Sequence, residues 1–103
     1  MNDKSYNVII SFVATDMLIT DARFIANVSG KAATQFIEEF YKKTKSLEKF
    51  PERNPLVVDS MIPEGKYRKL TIFKRYLIIY QIKNDSVYVD ALLDCSQDYK
   101  WLL

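Results

Sequence analysis

Three strand-like segments follow one another closely in the second half of the chain. They are Tyr67–Phe73, Tyr76–Lys83 and Val87–Leu93, each rich in β-branched and aromatic residues. The links between them, Lys74-Arg75 and Asn84-Asp85-Ser86, are short, and polar residues of this kind favour hairpin turns. Links of this length join antiparallel neighbours, because a parallel pair needs a crossover of about a dozen or more residues. The pattern therefore predicts a three-stranded antiparallel meander.

Upstream of the meander, the sequence predicts one strand and two helices. The strand, Tyr6–Phe12, is β-branched and aromatic with partial alternation. In a first helix, from about Ala14 to Asn27, apolar residues recur at spacings of three and four. A second helix, from about Ala32 to Leu47, carries an apolar stripe opposite a charged face. The predicted stripe consists of Ala33, Phe36, Ile37, Phe40, Thr44 and Leu47.

The two helices are joined by a very short link at Ser29-Gly30. Ser29 is suited to cap the second helix, and Gly30 is suited to the positive φ of a helix end. So short a link predicts an antiparallel helical hairpin, with its apolar stripe packed on another layer. A short helical turn, Asp98–Leu103, is expected at the C-terminus, with Asp98 as its N-cap.

The order strand, helix, helix, strand, strand, strand predicts an α+β fold. The chain has 103 residues, which is enough for one globular domain spanning residues 1–103. We expect the helical hairpin to cover one face of a mostly antiparallel sheet. The middle strand of the meander is apolar on both faces, so its second face is expected to carry a groove or a partner. Its two faces are Leu77, Ile79 and Gln81, and Ile78, Tyr80 and Ile82.

The residue types that are absent exclude several kinds of catalytic site. The chain has no histidine and one cysteine, Cys95. Zinc clusters, Ser-His-Asp triads and Cys-His pairs are therefore excluded, no metal or cofactor is expected, and proton chemistry falls to carboxylates, Lys, Arg and Tyr. Cys95 is expected to be a buried apolar residue, as free cysteines usually are.

No segment of the sequence resembles a signal peptide or a membrane span. The apolar stretch from Tyr6 to Ala14 is interrupted by Asn7 and Ser11, and no small-residue cleavage pattern follows. A lone cysteine fits a reducing compartment. We therefore expect a cytoplasmic protein with no membrane partner.

The basic residues are concentrated in one part of the chain. Residues 42–75 contain ten basic and four acidic side chains, a net charge of +6, whereas the remainder has five basic and nine acidic side chains, a net charge of −4. Lys42, Lys43 and Lys45 suit the solvated C-terminal end of a helix. The group from Lys66 to Arg75 falls on a strand and its turn, where a binding role is a stronger alternative.

Four short motifs in a fixed order connect this chain to a known family. They are Leu47-Glu48-Lys49-Phe50-Pro51, Tyr67-Arg68-Lys69-Leu70, Tyr76-Leu77-Ile78-Ile79-Tyr80 and Cys95-Ser96-Gln97-Asp98-Tyr99. In this order and spacing they resemble the RelE/ParE superfamily of bacterial type II toxin–antitoxin toxins, over nearly the whole chain. The resemblance implies the same α+β fold of a first strand, a helical hairpin and a meander.

The resemblance also implies a growth-inhibiting toxin of a plasmid-stabilisation type module, with a cognate antitoxin protein as its partner. Some members cut messenger RNA on the ribosome, and others poison DNA gyrase. The possible targets are thus DNA gyrase, or the ribosome and mRNA. A third alternative is an inactive homologue that only binds its antitoxin.

An RNase of this superfamily needs cations beside the scissile phosphate and groups that move protons. The matching candidates here are Arg68, Arg75, Asp98 and Tyr99. A structural ion pair is the alternative for Arg68, and a helix cap is the alternative for Asp98.

The RNase pattern is incomplete in this chain. Leu70, Leu77 and Ser96-Gln97 stand where the RNases carry basic residues. These departures favour a ParE-like toxin that binds its target. The candidates for binding the target or the antitoxin are Lys66, Lys69, Tyr76 and Tyr80, although the tyrosines also suit a strand core.

Overall fold

The structure, a computed structural model, describes residues 4–95 as two helices packed on a four-stranded sheet. The strands are β1 (Asn7–Ile10), β2 (Arg68–Ile72), β3 (Tyr76–Lys83) and β4 (Ser86–Asp94), and the helices are α1 (Phe12–Ala26) and α2 (Gly30–Ser46). A short 3-10 turn, Pro51–Arg53, follows α2. The α+β prediction is confirmed. The predicted C-terminal turn, Asp98–Leu103, lies outside the described residues.

The sheet has the strand order β1-β4-β3-β2. β2, β3 and β4 form the predicted antiparallel meander, and β1 pairs in parallel with β4, with Asn7 opposite Ser86. Between β3 and β4, Tyr80 pairs with Val89 and Ile79 with Ala91, which leaves one extra residue in β4 as a β-bulge. The first strand of the chain, β1, is thus an edge strand of the sheet and lies beside the last strand, β4.

Serine caps determine where the helices begin. The Ser11 hydroxyl accepts a hydrogen bond from the Ala14 backbone N–H at 3.0 Å, so α1 begins at Phe12, earlier than predicted. Ser29 caps α2 as predicted, accepting from the Ala32 N–H at 3.1 Å. The expectation for Gly30 is wrong, because this residue is the first residue of α2 and has no positive φ.

The main core lies between the helices and the sheet. The predicted stripe of α2 and the buried face of α1 each supply part of the helical side, and only Ile37 of the stripe is exposed. From the sheet, alternate residues of β3 and β4 point toward the helices. The buried members are Ala14, Leu18, Ala22, Phe36, Phe40, Leu47, Ile72, Tyr76, Ile78, Tyr80, Val87, Val89 and Leu92.

The other face of the sheet is covered in part by the chain's own segment 56–67. Val57, Ile62 and Tyr67 pack on β3 and β4 in a second buried cluster that includes Ile79 and Leu93. The sequence predicts a groove or a partner on this face. The structure shows that a segment of the same chain covers part of it. It makes one isolated bridge to the sheet, from Leu56 to Arg68.

Cys95 is exposed at the end of β4, so the expectation that it is buried is wrong. Its backbone N–H donates to the Arg75 carbonyl at 2.7 Å, which continues the pairing one residue beyond the strand. Within residues 4–95, no helix is both long enough and apolar enough to cross a membrane.

Candidate functional site

Arg68 lies at the start of β2 and holds the turn that follows α2. Its Nη1 donates to the carbonyl oxygens of Glu52 at 2.9 Å and Asn54 at 2.7 Å. The acceptors are therefore backbone carbonyls rather than a helix carboxylate. The guanidinium ties the 3-10 turn to the sheet edge, a position that sequence reasoning could not anticipate because the turn is 14 and 16 residues away.

Tyr80 belongs to the same hydrogen-bonded cluster. Its hydroxyl donates to the Pro51 carbonyl at 2.6 Å and accepts from the Asn54 side-chain amide at 3.0 Å. Burial raises the pKa of the Tyr80 phenol, an effect that the hydrogen bond from Asn54 partly opposes. Since this side chain is fully buried, it offers no surface to a target or antitoxin, and the structure places it in the core.

Arg75 lies at the opposite end of β2, in the turn to β3. Its Nε donates to Asp94 Oδ2 at 2.9 Å, and its Nη2 lies 2.9 Å from the same oxygen. The hydrogen bond to Asp94 raises the pKa of the Arg75 guanidinium.

The RNase candidates do not converge among the described residues. A strand advances about 3.3 Å per residue, so Arg68 and Arg75 are separated by on the order of 15 Å or more along β2. Both guanidiniums already bind protein oxygens, so either would have to release those contacts to bind a phosphate. Asp98 and Tyr99 lie outside the described residues.

The remaining binding candidates occupy different environments. Lys66 is exposed, with its Nζ 5.2 Å from the ring centroid of Tyr67. Lys69 is half-buried, and its backbone N–H donates to the Pro55 carbonyl at 3.0 Å. Tyr76 is buried against Phe36, with ring centroids 4.8 Å apart. The two lysines are thus accessible on this part of the sheet, whereas Tyr76 is buried and forms part of the wall of an apolar groove.

An apolar groove with a volume of about 250 Å³ lies between the link that joins the helices and the turn that joins β2 to β3. We call it the hairpin groove. The side chains of Phe24 and Val28 line it and have exposed fractions of 67% and 88%. Its other walls include Ile25, Phe73, Arg75 and Tyr76.

Sequence analysis missed Phe24 and Val28. The apolar face predicted for the first helix consists of Leu18, Ala22, Ile25 and Ala26, and Phe24 falls outside it. A large apolar residue on the solvent side of an amphipathic helix was the available signal. The other wall of the groove comes from a distant turn, so the groove itself could not be read from a local pattern.

Asp21 lies near this end of the sheet, on α1. Burial raises the pKa of its carboxyl to about 6, and the negative charge of Asp94 adds to the effect. The carboxyl also affects Tyr76, whose pKa is raised mainly by burial and further by the charge of Asp21. Among residues 4–95, no basic side chain forms an ion pair with this carboxyl, whereas Asp94 has Arg75.

A larger surface pocket, about 520 Å³, is formed by segment 56–65 on the outer face of the sheet. Its charged lining consists of Asp59 and Glu64, so it does not suit an anion such as a phosphate. Among residues 4–95 no group of three or more side chains is arranged to hold a metal ion. The described part of the chain thus offers the hairpin groove and this larger pocket as candidate binding surfaces.

Comparison with known proteins identifies relatives of this chain by fold and by family. A solved structure of the chromosomal ParDE toxin–antitoxin system from P. aeruginosa has the same fold, with a TM-score of 0.72 and 13% sequence identity. The match covers 88% of this chain and 97% of that one. A search of curated proteins finds no match. The sequence profile of the ParE toxins of type II toxin–antitoxin systems, parDE, matches residues 13–99. This chain therefore belongs to the ParE toxin family.

Proposed function

We propose that this ParE-family toxin inhibits bacterial growth in the cytoplasm by binding a macromolecular target, without cleaving RNA. The observation that carries this proposal is the placement of Arg68 and Arg75 at opposite ends of β2, each bound to protein oxygens. RNA cleavage needs preorganised cations around one phosphate, and loss of a single such donor can cost about 3 kcal/mol of transition-state stabilisation.

Two further positions support target binding. Leu70 and Leu77 stand where the RNases of the superfamily are basic, and both pack partly against buried clusters of this protein. Side chains in these positions stabilise the fold and cannot neutralise a phosphate. The exposed Lys66 and the half-buried Lys69 remain our candidates for contact with the target, which would be DNA gyrase if the ParE resemblance extends that far.

The proposed partner is a cognate antitoxin that covers the hairpin groove. The solved relative is itself a toxin–antitoxin system. Phe24 and Val28 expose apolar surface that a partner would remove from water. An amphipathic helix or an extended segment would fit such a groove.

The test of target binding uses induced expression in bacteria together with purified protein added to translating ribosomes. We expect growth arrest, and we expect no new 5′ ends when the messenger is mapped after addition of the protein. Discrete cuts in the ribosomal A site that disappear in Arg68→Ala would favour the RNase alternative instead. Normal growth with soluble toxin present would favour the inactive homologue.

The antitoxin proposal is tested with the small protein encoded beside the toxin gene. The double variant Phe24→Ser, Val28→Ser should bind it at least about tenfold more weakly than the wild type, as loss of apolar anchors predicts. Val58→Ser is the matched control. Val58 is 92% exposed, about as much as Val28, but it lies on segment 56–65, away from the groove. Equal losses in both variants would contradict the assignment of the groove.

A further inference from the structure

Phe50 combines two unusual properties. Its backbone lies in the left-handed region, with φ 50° and ψ 54°, directly before the 3-10 turn. Its side chain is 71% exposed. Bulky residues rarely adopt this backbone conformation, in which glycine and asparagine are favoured. Neither property is explained by packing within the chain.

Phe73 provides an internal comparison. It also has a positive φ, of 52°, in the turn between β2 and β3. However, its ring packs edge-on against Phe36 with centroids 5.2 Å apart, and its backbone N–H donates to Glu39 Oε2 at 3.0 Å. The fold thus compensates the conformation of Phe73 through its own side-chain contacts, whereas the ring of Phe50 is turned toward solvent.

The backbone at Phe50 is held from both sides. Arg53 donates from Nη1 to the Phe50 carbonyl at 3.1 Å and from Nη2 to Ser46 Oγ at 2.9 Å. The next carbonyl, that of Pro51, accepts the Tyr80 hydroxyl at 2.6 Å. These bonds join the turn to α2 and to the sheet. They present the exposed ring in a fixed orientation, and strained positions that are held in this way are typical of functional sites.

The chain segment that leads into the ring is basic overall. Residues 42–53 carry five basic and two acidic side chains, a net charge of +3. We propose that Phe50 is the aromatic anchor with which this toxin enters an apolar, acid-rimmed pocket on its folded protein target. This inference rests on the target-binding function proposed above. Aromatic residues on rigid elements are frequent hot spots of protein interfaces.

The shape of this feature favours a folded target over the antitoxin. A protruding ring needs a concave pocket to bury it, and a single extended or helical segment offers none. Phe50 also lies beyond the C-terminal end of α2, whereas the hairpin groove lies at its N-terminal end. With 17 residues and about 1.5 Å per residue, α2 separates the two by roughly 25 Å.

The experiment compares Phe50→Asn with Phe50→Tyr and with Phe12→Ala. Asparagine tolerates the left-handed backbone, so Phe50→Asn should keep or raise the melting temperature, by up to about 4 °C. It should also require at least about tenfold more inducer for growth arrest, as loss of a hot-spot aromatic predicts. Phe50→Tyr keeps an aromatic ring and should retain the arrest. Phe12 is 91% exposed at the first turn of α1 and serves as the matched exposed phenylalanine.

The outcomes separate the alternatives. Loss of arrest by Phe50→Asn alone, with unchanged melting and unchanged binding of the neighbouring antitoxin, supports the anchor. Arrest equal to that of the wild type would overturn it. Phe50→Gly is a second variant that tolerates the left-handed backbone. Lower melting temperatures in both it and Phe50→Asn would mean a structural role, and weakened antitoxin binding would assign Phe50 to the antitoxin interface; either result overturns the proposal. If the wild type itself does not arrest growth, the proposed function fails and the anchor fails with it.

Discussion

The two ends of α2 differ in how their polar groups are used. At the C-terminal end, Arg53, Arg68 and Tyr80 bind the backbone carbonyls of the turn that follows the helix. At the N-terminal end, the neighbouring groove is lined mainly by apolar side chains, and Phe24 stands in solvent. We call the C-terminal end of α2, where side chains bind the backbone carbonyls, the closed end, and the N-terminal end, beside the hairpin groove, the open end.

This difference teaches that rigidity and open apolar surface are separated in this small domain. Three hydrogen bonds fix the backbone of this turn, and breaking the buried one from Tyr80 would cost the most free energy, because it would leave the Pro51 carbonyl unpaired. An open groove lacks such restraints, and its side chains can adjust to a partner. The closed end therefore suits a fixed protruding ring, and the open end suits a segment that packs along the helices.

The largest expected effect compares two tyrosines of β3, one at its first residue and one in its middle. Tyr80→Phe should lower the free energy of unfolding by about 2 kcal/mol, because the Pro51 carbonyl and the Asn54 amide lose a buried partner. Tyr76→Phe should change it by less than about 0.5 kcal/mol, since the Tyr76 ring packing is retained. Urea unfolding of both variants measures the difference. Similar losses in the two would show that the closed end is not special.

A smaller effect is expected for Arg68, because its side chain is only half-buried. Arg68→Met keeps the aliphatic stem and should cost about 1.5 kcal/mol through loss of two charge-assisted hydrogen bonds. Combined with Tyr80→Phe, the two losses should deviate from additivity by at least about 0.5 kcal/mol, because both residues hold the same turn. Strict additivity in urea unfolding would mean that the closed end does not act as one unit.

At the open end, Asp21→Asn should stabilise the protein. The folded pKa of Asp21 is raised from 3.8 to about 6 because burial favours the neutral carboxyl. The stability that this neutral carboxyl contributes is fully present below pH 3.8 and is lost as the pH rises through 6. The full shift corresponds to about 3 kcal/mol, and solvent screening at this half-exposed side chain reduces it to about 1 kcal/mol at pH 7.

Unfolding measured from pH 4 to pH 7 tests this expectation. The advantage of Asp21→Asn should grow with pH and reach its maximum above pH 6. A constant difference between Asp21→Asn and the wild type at every pH would contradict the cause given for the shift.

The smallest effect is expected for the exposed groove residue itself. Phe24→Ser should change the free energy of unfolding by no more than about 0.5 kcal/mol, because its ring is mainly in solvent. Thermal or urea unfolding is sufficient to measure this. A loss of stability well above 1 kcal/mol would show that the Phe24 side chain packs in the core and that this part of the groove is more buried than its exposed fraction indicates.

Local patterns predicted the elements that depend on neighbouring residues. The limits of β3, Tyr76–Lys83, agree with the structure, as does the cap at Ser29. Periodicity also placed Phe36 and Phe40 in the core. Such features are set by side chains two to four positions apart, so a sequence contains the necessary information.

Features that join distant parts of the chain were not predictable in this way. Arg68 lies in a strand pattern, and nothing local shows that its acceptors are carbonyls of Glu52 and Asn54. Segment 56–67 covers the sheet through Val57 and Ile62, although its sequence lacks a regular period. Cys95 is exposed because the last strand ends beside it, and residue preferences describe only the average cysteine.

The parallel pairing of β1 with β4 has a consequence for the order of folding during synthesis. The Ser11 hydroxyl donates to the Asp90 carbonyl across 79 residues of sequence, so β1 waits for almost all of the described chain. At about 5 to 20 residues per second, that wait lasts roughly 4 to 16 s. Until β4 is made, Val8 and Ile10 have no neighbouring strand, whereas the helical hairpin can form early from local contacts. A newly made chain therefore completes its sheet only as synthesis of this part of the protein ends.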